Sequence, residues 1–371
     1  MKISERNKLK ERILGFIKEA KIGGDAEAQN LSFNRLALDL FAFQYSANPA
    51  YSRLCRRRGA SPATIHSWRE IPAVMTTSFK HVELFCGDAQ RDARHIFLTS
   101  GTTKQIRGKH FLRELDLYKA GAMRFFKEAC LPDVASIPVL VLGPSAEVFP
   151  NSSLGQMFSW IVEDFGADES ICAFGENGVD AAAAKEWLRR TSRENSPVLI
   201  LATSLALLTF VENPIFHENN LRLSKGSRIV DTGGYKATGR EIERENFLGK
   251  ISQAFGLATE WIFNEYGMTE LSSQFYESVF TRNNFGVPYK MSPPWMKSIA
   301  CHPETLEPLK SGEEGVLRHF DLANLDSVAM IQTEDVGVVH ESGVELLGRD
   351  PASEPRGCSM LAEEFLRESG M

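Results

Sequence analysis

Four uninterrupted apolar runs limit the fold of this chain more than any other feature. They are Pro138-Val139-Leu140-Val141-Leu142-Gly143, Pro197-Val198-Leu199-Ile200-Leu201-Ala202, Ser227-Arg228-Ile229-Val230-Asp231 and Glu260-Trp261-Ile262-Phe263-Asn264. Helical patterns over 154–165, 181–190 and 240–255 lie between them. A strand with one wet face alternates apolar and polar residues. A continuous run is buried on both faces, as in a parallel sheet covered by helices. Ligands of such sheets bind beyond the carboxyl ends of the strands. Gly143, Thr203-Ser204 and the stretch Asp231 to Gly234 stand at those ends.

Other regions read differently. Residues 1–20 form an amphipathic helix pattern with Ile13, Leu14, Phe16 and Ile17 on one stripe, and Leu31 to Tyr45 continues helical until Asn48-Pro49. Leu112 to Cys130 is a further helix pattern. After Gln274 come short runs near 298–300, 315–318, 333–337 and 344–347, separated by turn signals such as Pro303-Glu304 and Ser311-Gly312. This predicts an antiparallel subdomain at about 285–350, a helical N-terminal region at 1–90, and a tail at 351–371.

The chain has 371 residues, more than one core usually serves, so a large domain with subdomains is expected. Its net charge is −6, and Arg56-Arg57-Arg58 is its only dense basic run, which argues against a nucleic-acid surface. No apolar run is long enough to span a bilayer, and the N-terminus lacks the apolar segment of a signal peptide. The six cysteines show neither metal-ligand nor disulfide spacing. His66, His81 and His95 also lack ligand spacing. A cytoplasmic protein is expected.

Phe97-Leu98-Thr99-Ser100-Gly101-Thr102-Thr103-Lys104 is the first chemical candidate. Arg94 to Leu98 reads as a short buried strand. Small residues then let backbone N–H groups approach an anion, hydroxyls add donors, and Lys104 and Arg107 add charge. The spacing is not that of a P-loop. Read alone, the stretch is equally a Ser/Thr/Gly surface turn. The second candidate is Asn264-Glu265-Tyr266-Gly267-Met268-Thr269-Glu270, after the fourth strand. A ring there can stack on a base, Gly267 admits close backbone approach, Thr269 can donate to phosphate, and Glu270 can hold a hard cation. A plain strand-to-loop junction has the same composition.

Together these segments resemble the adenylate-forming superfamily, which activates carboxylates with ATP. Thr99, Ser100, Gly101, Thr102 and Thr103 match its phosphate loop, with Lys104 where members usually carry Gly. Tyr266, Gly267, Met268, Thr269 and Glu270 match its Tyr-Gly-x-Thr-Glu signature. The resemblance puts Tyr266 beside adenine, Thr269 on phosphate and Glu270 on Mg²⁺. Asp231-Thr232-Gly233-Gly234-Tyr235-Lys236 resembles the Gly-Gly strand end of the adenine pocket, contributing Gly233 and Gly234. Thr333-Glu334-Asp335-Val336-Gly337 resembles Thr-Gly-Asp-x-Gly, with Asp335 on the ribose hydroxyls and Glu334 in place of Gly. Gly348-Arg349-Asp350 resembles the hinge before the small C-terminal domain, with Arg349 near the ribose. The implied fold is the α/β large domain of adenylate-forming enzymes: parallel sheets flanked by helices plus a smaller antiparallel β subdomain. The small C-terminal domain is expected to be lacking.

Within that superfamily the chain is similar to the LuxE-type acyl-protein synthetases, the ligase component of bacterial fatty-acid reductase. Ile71-Pro72-Ala73-Val74, Asn151-Ser152-Ser153-Leu154, Pro293-Pro294-Trp295, Asp321-Leu322-Ala323-Asn324 and Arg356-Gly357-Cys358-Ser359 carry this likeness. It implies a fatty or other acyl substrate, ATP and Mg²⁺, passage of the acyl group to Cys358, and an acyl reductase or carrier as partner. Read without the family, Cys358 has Arg356 nearby and a potential helix start at Ser359, features that favour a thiolate; a tail cysteine without a role looks the same. Lys104 would serve catalysis at the phosphates. Two other readings stay open: transfer to coenzyme A, as in phenylacetate-CoA ligases, and a nucleotide-binding subunit without catalysis.

Overall fold

The structure, a computed structural model, describes residues 2–22, 26–99, 106–217, 221–233, 242–280, 289–341 and 343–349. It divides into two compact units. One comprises residues 1–124, 268–274 and 291–371; the other comprises 125–267 and 275–290.

The first unit begins with helices Lys2–Glu19, Ala26–Ala47 and Pro49–Arg57. Phe33, Leu36, Leu40 and Phe41, spaced at helical intervals, are the buried face of the second. The break at Asn48-Pro49 is a cap between two helices. Asn48 Oδ1 accepts from Tyr51 N at 3.1 Å, and Pro49 takes the first helical position, where its missing N–H costs nothing. Strands Met296–Cys301, Glu314–Asp321, Met330–His340 and Gly343–Arg349 follow one another antiparallel. Val74–Met75 pairs parallel with the third of these, Val74 opposite Ile331. A Cβ at Gly337 would lie 2.2 Å from Glu345 O, so only glycine fits this close approach.

The strand read at Arg94 to Leu98 is His95–Leu98, and it is not fully buried. It pairs only with Lys109–Leu112 as a two-stranded hairpin, which leaves Ile96 38% exposed while Phe97 is buried. The same pairing claims Leu112, so the next helix is Asp116–Cys130 and starts later than its apolar pattern suggested.

The second unit holds the parallel strands. Ile171–Cys172, Val139–Leu142, Leu199–Thr203, Arg228–Thr232 and Ile262–Tyr266 lie side by side in that order, with Phe275–Glu277 antiparallel beyond the last. All four apolar runs are therefore strands of one parallel sheet, each largely buried. Helices Ser153–Phe165, Ala181–Arg193, Ser204–Glu212 and Arg244–Phe255 cover it, burying Trp187, Leu207, Phe247 and Ile251 against Leu140, Ile200 and Ile229. Ser152, Asp180 and Thr203 cap three of these helices through their side chains. Arg228, the polar exception in its run, is 1% exposed and binds Asp133 through both terminal nitrogens.

The N-terminal helix is tied to its own unit by a buried ion pair. Arg6 Nε and Nη2 donate to the two oxygens of Asp326 at 2.6 and 2.7 Å, and Arg113 N donates to the same carboxylate at 3.1 Å. Both side chains are nearly inaccessible. Arg6→Met should lower unfolding stability by roughly 3–5 kcal/mol in urea titrations, because it leaves a buried carboxylate without its counter-charge. Asp326→Asn in the same chain, neutral but still an acceptor for Arg113 N, should recover most of the loss.

Candidate active site

The chain enters the Tyr-Gly-x-Thr-Glu stretch in one unit and leaves it in the other: Tyr266 and Gly267 belong to the second, Met268 to Gln274 to the first. The site residues are therefore described unit by unit.

In the first unit, Thr99 closes the base of the hairpin loop. Its Oγ1 accepts from Gly108 N at 2.8 Å, and Arg107 Nε donates to Thr99 O at 2.7 Å. Arg107 is exposed. Ser100, Gly101, Thr102, Thr103 and Lys104 lie outside the described residues, as do Gly234, Tyr235, Lys236, Asp350 and Cys358.

The segment Met268 to Gln274 is held along its length. Leu271 N donates to Met268 O, His110 Nδ1 meets Thr269 O at 2.7 Å, and Asn324 Nδ2 donates to Glu270 O at 2.7 Å. Ser272 N and Ser273 Oγ donate to Asp321, at 2.9 and 2.8 Å. Asp321 and Asn324 come from the strand end and turn that the sequence marked only by likeness. His110, on the hairpin, ends the donor-rich stretch Gln105 to His110 that follows the loop, and nothing local marks its partner, 159 residues away.

Glu270 is 7% exposed. Burial pushes its carboxyl up to about 7, with Asp335 adding to the rise and its own backbone N–H, Arg349 and Lys80 opposing it. Asp335 faces Arg349 across the strand pair, and Arg349 Nε donates to Asp335 Oδ1 at 2.9 Å. Arg349 is 68% exposed, so this pair is worth little by itself. Thr269, Glu270, Asp335 and Arg349 are thus brought into one neighbourhood from three separate motifs. Lys80 joins them without having been read as a site residue.

Among the described residues no group of three or more acidic, histidine or cysteine side chains could hold a metal alone. That fits Mg²⁺ rather than opposing it. Mg²⁺ keeps several waters and is commonly held by one or two carboxylates together with substrate phosphates. Glu270 is a carboxylate of the kind that could take part, with Asp335 near enough to influence it.

In the second unit, Thr232 lies opposite Glu265 in adjacent parallel strands, so Gly233 and Tyr266 follow side by side at the carboxyl ends. Gly233 has φ +81°, a conformation that disfavours a side chain. The Tyr266 ring leans on Phe275, centroids 5.3 Å apart. Beneath them lies a polar network. Asp231, fully buried, accepts two bonds from Arg244 at 2.9 Å each, one from Ser204 Oγ at 2.7 Å and one from Asn264 Nδ2 at 2.9 Å. Thr232 Oγ1 donates to the Glu265 carboxyl. Burial raises Glu265 to about 7, opposed by Thr232 and Lys290, while Asp231 adds to the rise. Lys290, lowered by burial, bonds Asn264 and Glu277.

A fold with these parallel strands, the Thr-Glu segment and the Asp-Arg strand pair is that of the adenylate-forming ligases. The solved structure of 2-hydroxyisobutyryl-CoA ligase with 2-HIB-AMP and CoA in its thioesterification state superposes with a TM-score of 0.65, at 14% identity, over 88% of this chain and 68% of that one. Its open conformation gives 0.62 at 12% identity, over 90% and 75%. Residues 22–366 match the family described as acyl-protein synthetase, LuxE, and the chain belongs to that family. It is an acyl-activating ligase. The long-chain-fatty-acid–luciferin-component ligase of Aliivibrio fischeri is 24% identical over 361 residues, covering 92% of this chain and 91% of that protein. The protein of the same name from Vibrio harveyi is 22% identical over 379 residues, covering 94% and 96%. No helix among the described residues is long and apolar enough to cross a membrane.

The raised carboxyl of Glu265 carries a pH consequence. Below its unfolded pKa of 4.5 both states hold the proton. From there to about 7 the unfolded chain ionises first, so folding stability falls as pH rises. Glu265→Gln, neutral throughout, should show a smaller loss of denaturation midpoint between pH 5 and 8 than the unaltered protein. Parallel curves would mean that the carboxyl is ionised in the folded state.

Proposed function

We propose that the protein, in a cytoplasmic setting, activates a long-chain fatty acid with ATP, forming the acyl-adenylate and releasing pyrophosphate, and passes the acyl group to Cys358 for delivery to an acyl reductase or carrier. One observation supports this above the rest: the buried Glu270 carboxyl lies in the field of Asp335 and Arg349, which come from a separate strand pair. The names of the two relatives support the choice of a long-chain fatty acid, and the family's description as acyl-protein synthetase supports a protein acceptor.

In this reading residues 1–350 form the acyl-activating domain, with a helical region at 1–90 and a β subdomain at about 285–350, and 351–371 is the tail with the acceptor thiol. A carboxylate oxygen of the acid attacks the α-phosphorus, and the bond to pyrophosphate breaks. The Cys358 thiolate then attacks the carbonyl carbon of the mixed anhydride, and AMP leaves. Thr99 to Lys104, with Thr269, hold the phosphates. Gly233, Gly234 and Tyr266 line the base, Gly267 and Met268 leave room beside it, and Asp335 with Arg349 hold the ribose. Glu270 would hold Mg²⁺, which would supply neutralisation of phosphate charge when bound. Glu270 would have to give up its proton to take the ion, so the buried carboxyl would couple Mg²⁺ affinity to pH.

Asp335→Ala should mainly weaken nucleotide binding, since a charge-assisted bond to ribose is worth about 1.5–3 kcal/mol. Glu270→Gln should instead slow adenylation and change its Mg²⁺ dependence. Calorimetry and pyrophosphate exchange separate the two, and unchanged kinetics in both variants would sink these roles.

Labelled acid with ATP should leave a protein-bound label that neutral hydroxylamine releases, as from a thioester. Cys358→Ser should abolish that label and spare pyrophosphate exchange, because adenylation precedes the thiol. A normal hydroxylamine-labile adduct on Cys358→Ser would move the acceptor elsewhere, and label released only as a coenzyme A thioester would replace the protein acceptor with coenzyme A.

A further inference from the structure

The two carbonyls of the Thr269-Glu270 pair are each bonded to a side chain distant in sequence, and one of these is a histidine. His110 is 1% exposed. A carbonyl can only accept, so the ring carries its proton on Nδ1, toward Thr269 O at 2.7 Å. Nε2 is then a bare lone pair. It is buried and, among the described residues, has no hydrogen-bond partner. The Phe79 ring stands edge-on to the imidazole, centroids 5.9 Å apart at 85°, and fixes its plane. A leucine would fill much of this space without burying an unpaired nitrogen, which is costly. What a leucine cannot supply is the bond to Thr269 O.

The neighbouring contacts isolate what that bond does. From Glu270 onward the segment has its own anchors: Asn324 on the Glu270 carbonyl and Asp321 on Ser272 and Ser273. Asn324 is itself fixed by Ser272 Oγ at 2.6 Å. Among the described residues, His110 is the side chain that bonds the carbonyl of Thr269, part of the peptide unit between the hydroxyl proposed for phosphate and the carboxylate proposed for Mg²⁺. Both side chains project from the two Cα atoms that this unit joins, so the path of the main chain here sets where both can reach. Displacements of about 1 Å at reacting groups cost on the order of a hundredfold in rate.

We infer that His110 is a positioning residue for acyl activation, its Nδ1–H fixing the Thr269 carbonyl and thereby the directions of the Thr269 hydroxyl and the Glu270 carboxylate. The inference rests on the roles proposed for Thr269 and Glu270.

Three variants test it. In His110→Asn the side-chain amide, bonded to Cγ as Nδ1 is, still reaches the carbonyl. His110→Gln places its amide one bond farther out, and His110→Leu removes the donor. Pyrophosphate exchange is measured against Mg²⁺ concentration, ATP binding by calorimetry with and without Mg²⁺, and folding by thermal melting. His110→Leu and His110→Gln should lower kcat about tenfold or more and raise the Mg²⁺ concentration for half-maximal exchange, with ATP affinity in the absence of Mg²⁺ little changed. His110→Asn should stay within about threefold of the unaltered enzyme in both respects.

A loss of active fraction with the Mg²⁺ midpoint unmoved would make His110 merely structural and overturn the inference. So would equal behaviour of His110→Asn and His110→Gln, the comparison that decides if His110→Leu does not fold. An unaltered protein that neither binds ATP nor exchanges pyrophosphate with any acid would sink the proposed function, and this inference with it. Normal exchange in all three variants would sink the inference alone.

Discussion

The buried carboxylate of Asp321 holds the candidate chemistry in place. It sits at the end of strand Glu314–Asp321 with no solvent exposure. Burial raises its carboxyl to about 6, while bonds from Ala323 N, Ser273 Oγ and the Ser272 and Ser273 backbone oppose that rise. An acid in this position is tolerated only when its oxygens are occupied. The donors that occupy them include the segment following Glu270. Satisfying one buried charge therefore fixes the path of the main chain that presents Thr269 and Glu270. Asn324, three residues beyond Asp321, extends the grip to the Glu270 carbonyl.

The same rule operates in the other unit with a different outcome. Asp231 is fully buried at a strand end, yet arginine, asparagine and serine donors all reach it. Glu265, one strand over, has Thr232 and a nearby lysine whose own pKa burial lowers. The first acid has a full set of donors. The second has fewer, and burial raises its carboxyl to about 7. Both lie beneath the strand ends that carry Gly233 and Tyr266, where parallel sheets present their ligands.

Much of the architecture was legible in the sequence because parallel strands leave an unusual mark. Being buried on both faces, Val139–Leu142 and Leu199–Thr203 could not alternate, and the helices between them kept their own period. The strand His95–Leu98 is less buried than its composition predicts, because four apolar or neutral residues say nothing about how many neighbours a strand has. The residues of the Tyr-Gly-x-Thr-Glu stretch were visible because their chemistry needs fixed spacing along the chain.

What the sequence by itself determined is the order of elements, the family and the segments that carry its motifs, since each is written in contiguous residues. Only the tertiary structure decided which distant groups act on them. Asp335 and Arg349 are paired by a register between strands, and Lys80 reaches the Glu270 field from a short helix. His110 meets Thr269 through a contact of two chain segments that share no pattern. Hydrogen bonds and burial act through space over a few ångströms, and sequence separation carries no information about that distance once the chain has folded back on itself.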